Sequence, residues 1–128
     1  MPGWTPVNQM AGQGFILSES VYTLQDIARN QVVGGWFTVE FRQNYVTGGL
    51  VVDLSYRLRQ IDIIIARAMS GAYSSSPKEN DTDFPGDPRS GRIMLFLGIT
   101  VGAYVYPIEV PNATPISGAR VQLYAVGY

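Results

Sequence analysis

Two stretches of this chain alternate apolar and polar residues one for one, and that period constrains the fold more than any other feature. Within residues 36–42, Phe37, Val39 and Phe41 fall on one side, and Trp36, Thr38, Glu40 and Arg42 on the other. Within residues 119–128, Val121, Leu123 and Ala125 alternate with Arg120, Gln122 and Tyr124. A period of two sends successive side chains to opposite faces of a sheet, so each stretch reads as a strand with one face buried. Leu50, Val52 and Leu54 repeat the pattern in LVVDLS, residues 50–55. Gly48 and Gly49, just before them, suit a tight turn. Residues 36–42 and 50–55 are therefore expected to form a hairpin, and the Gly34–Gly35 pair is read as a second turn.

Residues 59–69, RQIDIIIARAM, contain three consecutive isoleucines. Their β-branching favours a strand over a short helix. Residues 92–110 are the strongest strand signal, with Gly98 and Gly102 marking a bend, a bulge or a break into two strands. TLQDIARNQ, residues 23–31, is the one helical stretch: Thr23 can cap it with Asp26 at the capping-box position, and Leu24, Ile27 and Ala28 share a face. Residues 70–91 read as a long polar loop.

Six to eight strands, turns of glycine and proline, and one short helix predict a mainly β protein, either a jelly-roll-like β-sandwich or a small barrel. Residues 21–128 form the single domain. Residues 1–20 are rich in glycine, proline, glutamine and serine, yet hold Trp4, Phe15, Ile16 and Leu17. They read as an extended N-terminal arm that packs on its own domain or on a neighbour, and that can be removed without unfolding the domain.

Composition narrows the function. The chain has 128 residues, of which 46% are hydrophobic and 15% charged. An average domain carries roughly 25% charged residues, so some apolar or aromatic surface is left to face a partner. Net charge is −1 with no run of one sign, which argues against a nucleic-acid footprint or a polybasic membrane anchor. The longest apolar stretch is too short to span a bilayer, and the start lacks a secretory signal. Cysteine and histidine are absent. Disulfides, thiolate metal sites, cysteine nucleophiles and imidazole bases are therefore excluded.

The remaining candidates for chemistry are thin. Asp81, Asp83 and Asp87 cluster as hard-cation ligands do, but Pro85 and Arg92 occupy positions where an EF-hand needs other residues. Ser75 and Lys78 have Ser–Lys spacing, which Pro77 spoils by breaking the helix that pair requires. Glu40, Asp53 and Asp62 are more simply paired with Arg42, Arg57, Arg59 or Arg67 across strands than with one another. The chain thus reads as a non-enzyme without cofactor or metal. Trp4, Trp36, Tyr45, Tyr56 and Tyr73 are candidates for a sugar-stacking or protein-docking platform. The basic residues are almost all arginine, and eight tyrosines accompany them; arginine and tyrosine are enriched at protein interfaces.

QVVGGWFTVEFRQNYVTGGLVVDLS and the closing PNATPISGARVQLYAVGY resemble segments of small structural proteins of tailed bacteriophages, above all the capsid decoration, or cement, proteins. The resemblance implies a jelly-roll or barrel-like fold and a homodimer or homotrimer. It implies a place on the outer capsid surface of the virion, reached after synthesis in the host cytoplasm, where the protein clamps neighbouring major capsid proteins. It assigns no residue. With it in hand, the expected interface combines Trp4, Phe15, Ile16 and Leu17 of the arm with Arg29, Arg42, Arg57 and Arg59, which would meet acidic capsid surface. A ring-forming tail or neck component, or a receptor- or carbohydrate-binding module of a fibre, is the alternative.

Overall fold

The computed structural model describes residues 4–25, 31–68, 73–77, 90–116 and 118–128. In chain order these hold strands β1 (Thr5–Ala11), β2 (Gly14–Gln25), β3 (Gln31–Phe41), β4 (Leu50–Asp53), β5 (Ile61–Ala68), β6 (Tyr73–Pro77), β7 (Ser90–Val101), β8 (Tyr104–Glu109) and β9 (Ala119–Gly127). The protein is mainly β, with two antiparallel sheets and no helix among the described residues. One sheet has the order β1-β2-β3-β9-β5, and the other is built around β7. Ile93 of β7 pairs with Leu50 on one side and Pro77 on the other, while Leu97 pairs with Ile108 and Tyr73. β4 and β8 therefore share one edge of β7 end to end, and β6 takes the opposite edge. The larger sheet ends on β1 and β5, so it does not close on itself as a barrel among the described residues.

The alternating stretches fold as their period requires. Phe37, Val39 and Phe41 of β3 and Val121, Leu123 and Ala125 of β9 are buried side by side. Leu50 and Val52 of β4, with Ile93 and Leu95 of β7, cover them from the second sheet, and all join one apolar core. Each of the Phe, Val, Leu and Ile side chains among them contributes roughly 1.5–3 kcal/mol when fully buried. The chain breaks between β7 and β8 at Gly102, one of the two glycines the sequence singles out.

Several expectations change. First, β3 and β4 do not pair as a hairpin. After Phe41 the chain leaves the five-stranded sheet and crosses to β7, and Tyr45 is anchored on the way, its N–H donating to the Thr114 carbonyl at 2.9 Å. Both strands have one apolar face, and stacking the sheets hides both faces at once. Second, Gly34 and Gly35 are not a turn but lie within β3, paired with Tyr22 and Val21. A Cβ on Gly34 would meet the Tyr22 hydroxyl at 2.6 Å, and one on Gly35 would run into the Ser20 carbonyl. Close approach of β2 to β3, not turning, is what these glycines permit. Gly48 and Gly49 do form the expected turn, with φ of 93° and 109°.

Third, Thr23, Leu24 and Gln25 belong to β2 and pair with Val33, Val32 and Gln31, so they do not start a helix. Residues 26–30 of that stretch lie outside the described residues. Fourth, the expected arm is largely sheet: β1 and the first part of β2 lie within residues 1–20, Phe15 pairs with Glu40, and Ile16 is wholly buried in the core. The stretch expected as a loop contains β6, while residues 78–89, with Asp81, Asp83 and Asp87, lie outside the described residues.

Two polar clusters pin the core. Glu19 is only 3% exposed. Its carboxylate accepts two bonds at 3.0 Å from Arg57 Nε, a further close bond from Arg57 Nη2, and one at 3.1 Å from the Tyr56 hydroxyl. At the other end the buried Tyr45 hydroxyl donates to Glu109 Oε2 at 2.6 Å, and the Gly48 N–H donates to the same oxygen at 2.7 Å. The buried Glu19 carboxylate and Tyr45 hydroxyl are thus partnered, as burial demands.

Candidate functional site

Residues directly opposite in an antiparallel pair share a face. Phe37 points into the core, so Trp36 points away from it, and the register extends that outer face across the sheet. Ile63, Val126, Gly34 and Tyr22 form one row over β5, β9, β3 and β2, and Ile65, Tyr124, Trp36 and Ser20 form the next. Val32 and Leu24 extend this end. Ile63 is 56% exposed, Ile65 54% and Trp36 38%. Such apolar side chains, contiguous on a sheet, are the kind of patch that takes a partner.

The aromatic groups are held in place. The Tyr22 ring lies across Gly34, where no side chain stands in its way, and its hydroxyl meets the Tyr124 hydroxyl at 2.6 Å. That bond, with some burial, raises the Tyr22 phenol above its ordinary value. Trp36 packs on Tyr124 with ring centres 4.9 Å apart and planes tilted by 45°. Tilted rings at this spacing are favourable beyond the area they bury.

Two further rows change character. Arg67, Gln122, Thr38 and Ser18 come first, then Arg120, Glu40, Phe15 and Met10. Arg67 Nη2 donates to Gln122 Oε1 at 2.5 Å. Glu40 accepts from Arg42 Nε at 2.7 Å and from Arg120 Nε at 3.3 Å. The Arg42 bond, helped by Arg120, holds the Glu40 carboxyl below its usual value. The Arg42 guanidinium also lies 3.7 Å from the centre of the Phe15 ring, a cation–π contact. The outer face is apolar and aromatic at one end and cationic at the other.

Of the expected interface residues, Phe15 and Arg42 meet on this face. Trp4 is exposed just before β1, and Leu17 is half-buried where the β2–β3 register shifts. Ile16 is removed from any interface by its burial in the core. Arg57 is committed to the buried Glu19. Arg59 is exposed beside the chain end, its N–H bonding the Tyr128 carbonyl at 2.6 Å. Arg29 lies outside the described residues. Of the aromatic candidates, Tyr45 is in the core and Tyr56 packs edge-on against Phe37 at 6.5 Å, which leaves Trp36 and Trp4 exposed. The Tyr73 side chain lies outside the described ones.

Glu40, Asp53 and Asp62 sit on β3, β4 and β5, each with its own partner: two arginines for Glu40, the Ser55 N–H for Asp53 and the Gln60 amide for Asp62. They form no carboxylate pair for acid–base work. The sequence pattern alone does not single out Tyr22, Tyr124, Ile63, Ile65 and Arg120 as interface residues. Tyr124 and Arg120 carry a signal, the outward half of the alternating β9, but only pairing of β9 with β3 and β5, and of β3 with β2, gathers them with Ile63, Ile65 and Tyr22. Comparison with protein-family models, curated proteins and solved structures finds no match to this chain.

Proposed function

We propose that this chain is a non-enzymatic structural protein of a tailed-phage virion, one that binds the outside of the capsid and clamps neighbouring major capsid proteins. The observation that carries this reading is the outer face of the five-stranded sheet, where Trp36, Tyr22, Tyr124, Ile63 and Ile65 lie together on paired strands. A binding surface built on a sheet is ordered before its partner arrives, so little conformational entropy is lost on docking. Trp, Tyr and Arg are the side chains that most often dominate protein interfaces. The sequence resemblance to decoration proteins supplies the partner, and the two sheets around one core are the layers of a jelly-roll-like sandwich in that reading.

A shell under internal pressure is stabilised by any module that binds the assembled lattice and not its free subunits. A homodimer or homotrimer on the outer capsid surface engages several subunits together and gains by multivalency. Neither nucleic acid nor membrane has a part in this role. The test is to mix the purified protein with expanded capsids, sediment them and image the pellet by cryo-electron microscopy. Ordered density at fixed sites between capsid subunits is the expected result; a protein left in the supernatant overturns the capsid role.

The half-exposed Trp36 ring beside Tyr124 favours a second reading, a carbohydrate-binding module of a tail or fibre, since such rings stack on sugar faces. A glycan array separates the two, with saturable binding lost in Trp36→Ala marking the fibre module.

A further inference from the structure

We propose that the outer face of the five-stranded sheet takes a folded protein surface that sets an apolar ridge beside a cluster of carboxylates. This rests on the reading of that face as a protein-docking surface and names the chemistry of what docks. The face is divided. Its aromatic end, from Leu24 and Ile63 to Trp36, has no charged side chain in the two paired rows. Its other end brings together Arg42, Arg67 and Arg120 against one carboxylate, Glu40. That end is cationic in a chain whose net charge is −1.

The arginines are arranged for bidentate acceptors. Arg42 and Arg120 spend their Nε atoms on Glu40, and no other described hydrogen bond uses their Nη groups. Arg42 is further fixed over Phe15, and Arg67 is fixed by Gln122. A guanidinium already held in a plane loses less freedom when it meets a carboxylate. A second copy meeting this face with its own would bring three arginines and, in the paired rows, only one carboxylate, Glu40, which two arginines already share. Exposed Ile63, Ile65 and Leu24 offer a sugar neither a ring to stack on nor a hydrogen bond.

The test uses two synthetic peptides with the same leucine and tyrosine residues, one carrying glutamates and the other lysines at the charged positions. Each is titrated into the full chain and followed by amide NMR. The glutamate peptide should shift amides of β3, β5 and β9, bind better than the lysine peptide, and weaken about tenfold between roughly 50 and 500 mM salt. Trp36→Ala should weaken it about 30-fold, the loss expected of a central tryptophan. Arg42→Gln with Arg120→Gln should erase the preference for the glutamate peptide while leaving the thermal melt in place, which separates lost binding from lost folding. Equal binding of both peptides, shifts confined to other strands, or tighter binding to phosphatidylglycerol vesicles than to the glutamate peptide would each overturn the proposal. Capsid sedimentation of the same variants keeps the two readings apart. Capsids that bind wild type and the double arginine variant alike overturn the carboxylate partner and keep the capsid role. Capsids that bind neither, with the peptide preference intact, overturn the capsid and keep the chemistry of the face.

Discussion

Single residues set how this protein answers pH. Tyr45 and Tyr56 both lie above the ordinary phenol value of 10.0, each chiefly through burial and then through a neighbouring carboxylate, Glu109 for one and Glu19 for the other. Ionisation is therefore favoured in the unfolded chain over the folded one. The stability these phenols confer is complete below about pH 10 and falls as pH rises beyond it towards their folded values. In alkaline urea titrations, stability should drop above about pH 10, and the drop should be shallower in Tyr45→Phe and Tyr56→Phe. Tyr45 and Tyr56 should contribute to tyrosinate absorbance only as the fold gives way, and that late increment should shrink in each Phe variant. An alkaline limb unchanged in both variants would contradict this account.

At the scale of elements, the instructive strand is β3. Its glycine pair reads as punctuation, yet it lies inside a strand because two different neighbours press on it. Over Gly34 the neighbour is the far end of the Tyr22 side chain, which can swing aside at the loss of its bond to Tyr124. Over Gly35 it is the backbone of β2, which cannot move without breaking its ladder. Gly34→Ala should therefore cost about 1 kcal/mol, the worth of one hydrogen bond, and Gly35→Ala about 3 kcal/mol or more. Urea denaturation of the two variants checks the order. Adding Tyr22→Ala should relieve the first substitution and leave the second untouched. The alternation of β3 and β9 was legible without a structure because burial of one face imposes it. Their partners were not legible, since a strand's period says which side is apolar and nothing about which strand lies alongside.

For the molecule as a whole, the N-terminal residues show how tertiary context overrides composition. Glycine, proline and glutamine suggest an arm, but β1 and β2 complete a sheet, Ile16 fills the core, and Glu19 is the acceptor for Arg57 and Tyr56. Deleting residues 1–20 should therefore abolish the cooperative melt instead of yielding a folded domain that no longer binds. It would leave the β3 edge unpaired from Trp36 to Phe41, open the core around Phe37 and Val39, and remove the carboxylate that Arg57 faces. A truncated chain with native circular dichroism and an unchanged melt would restore the arm. One shared core beneath both sheets also means that the proposed docking face is rigid only while the whole domain is folded.

Sequence alone determined the β character of the chain, the buried faces of β3, β4 and β9, the turn at Gly48–Gly49, and an irregularity at Gly98 or Gly102, which the structure places at Gly102 as a break. These follow from local rules, period and backbone freedom, which act within a few residues. It also carried the residue types of the outer sheet face proposed for docking, spread over Tyr22, Trp36, Ile63, Ile65 and Tyr124. Only the tertiary structure decided that β3 pairs with β2 and β9 and not with β4, that Ile16 is core, and that Arg57 serves a buried glutamate while Arg42 and Arg120 face outward. Pairing and stacking join residues far apart in the chain, and their energies come from neighbours that no local pattern names.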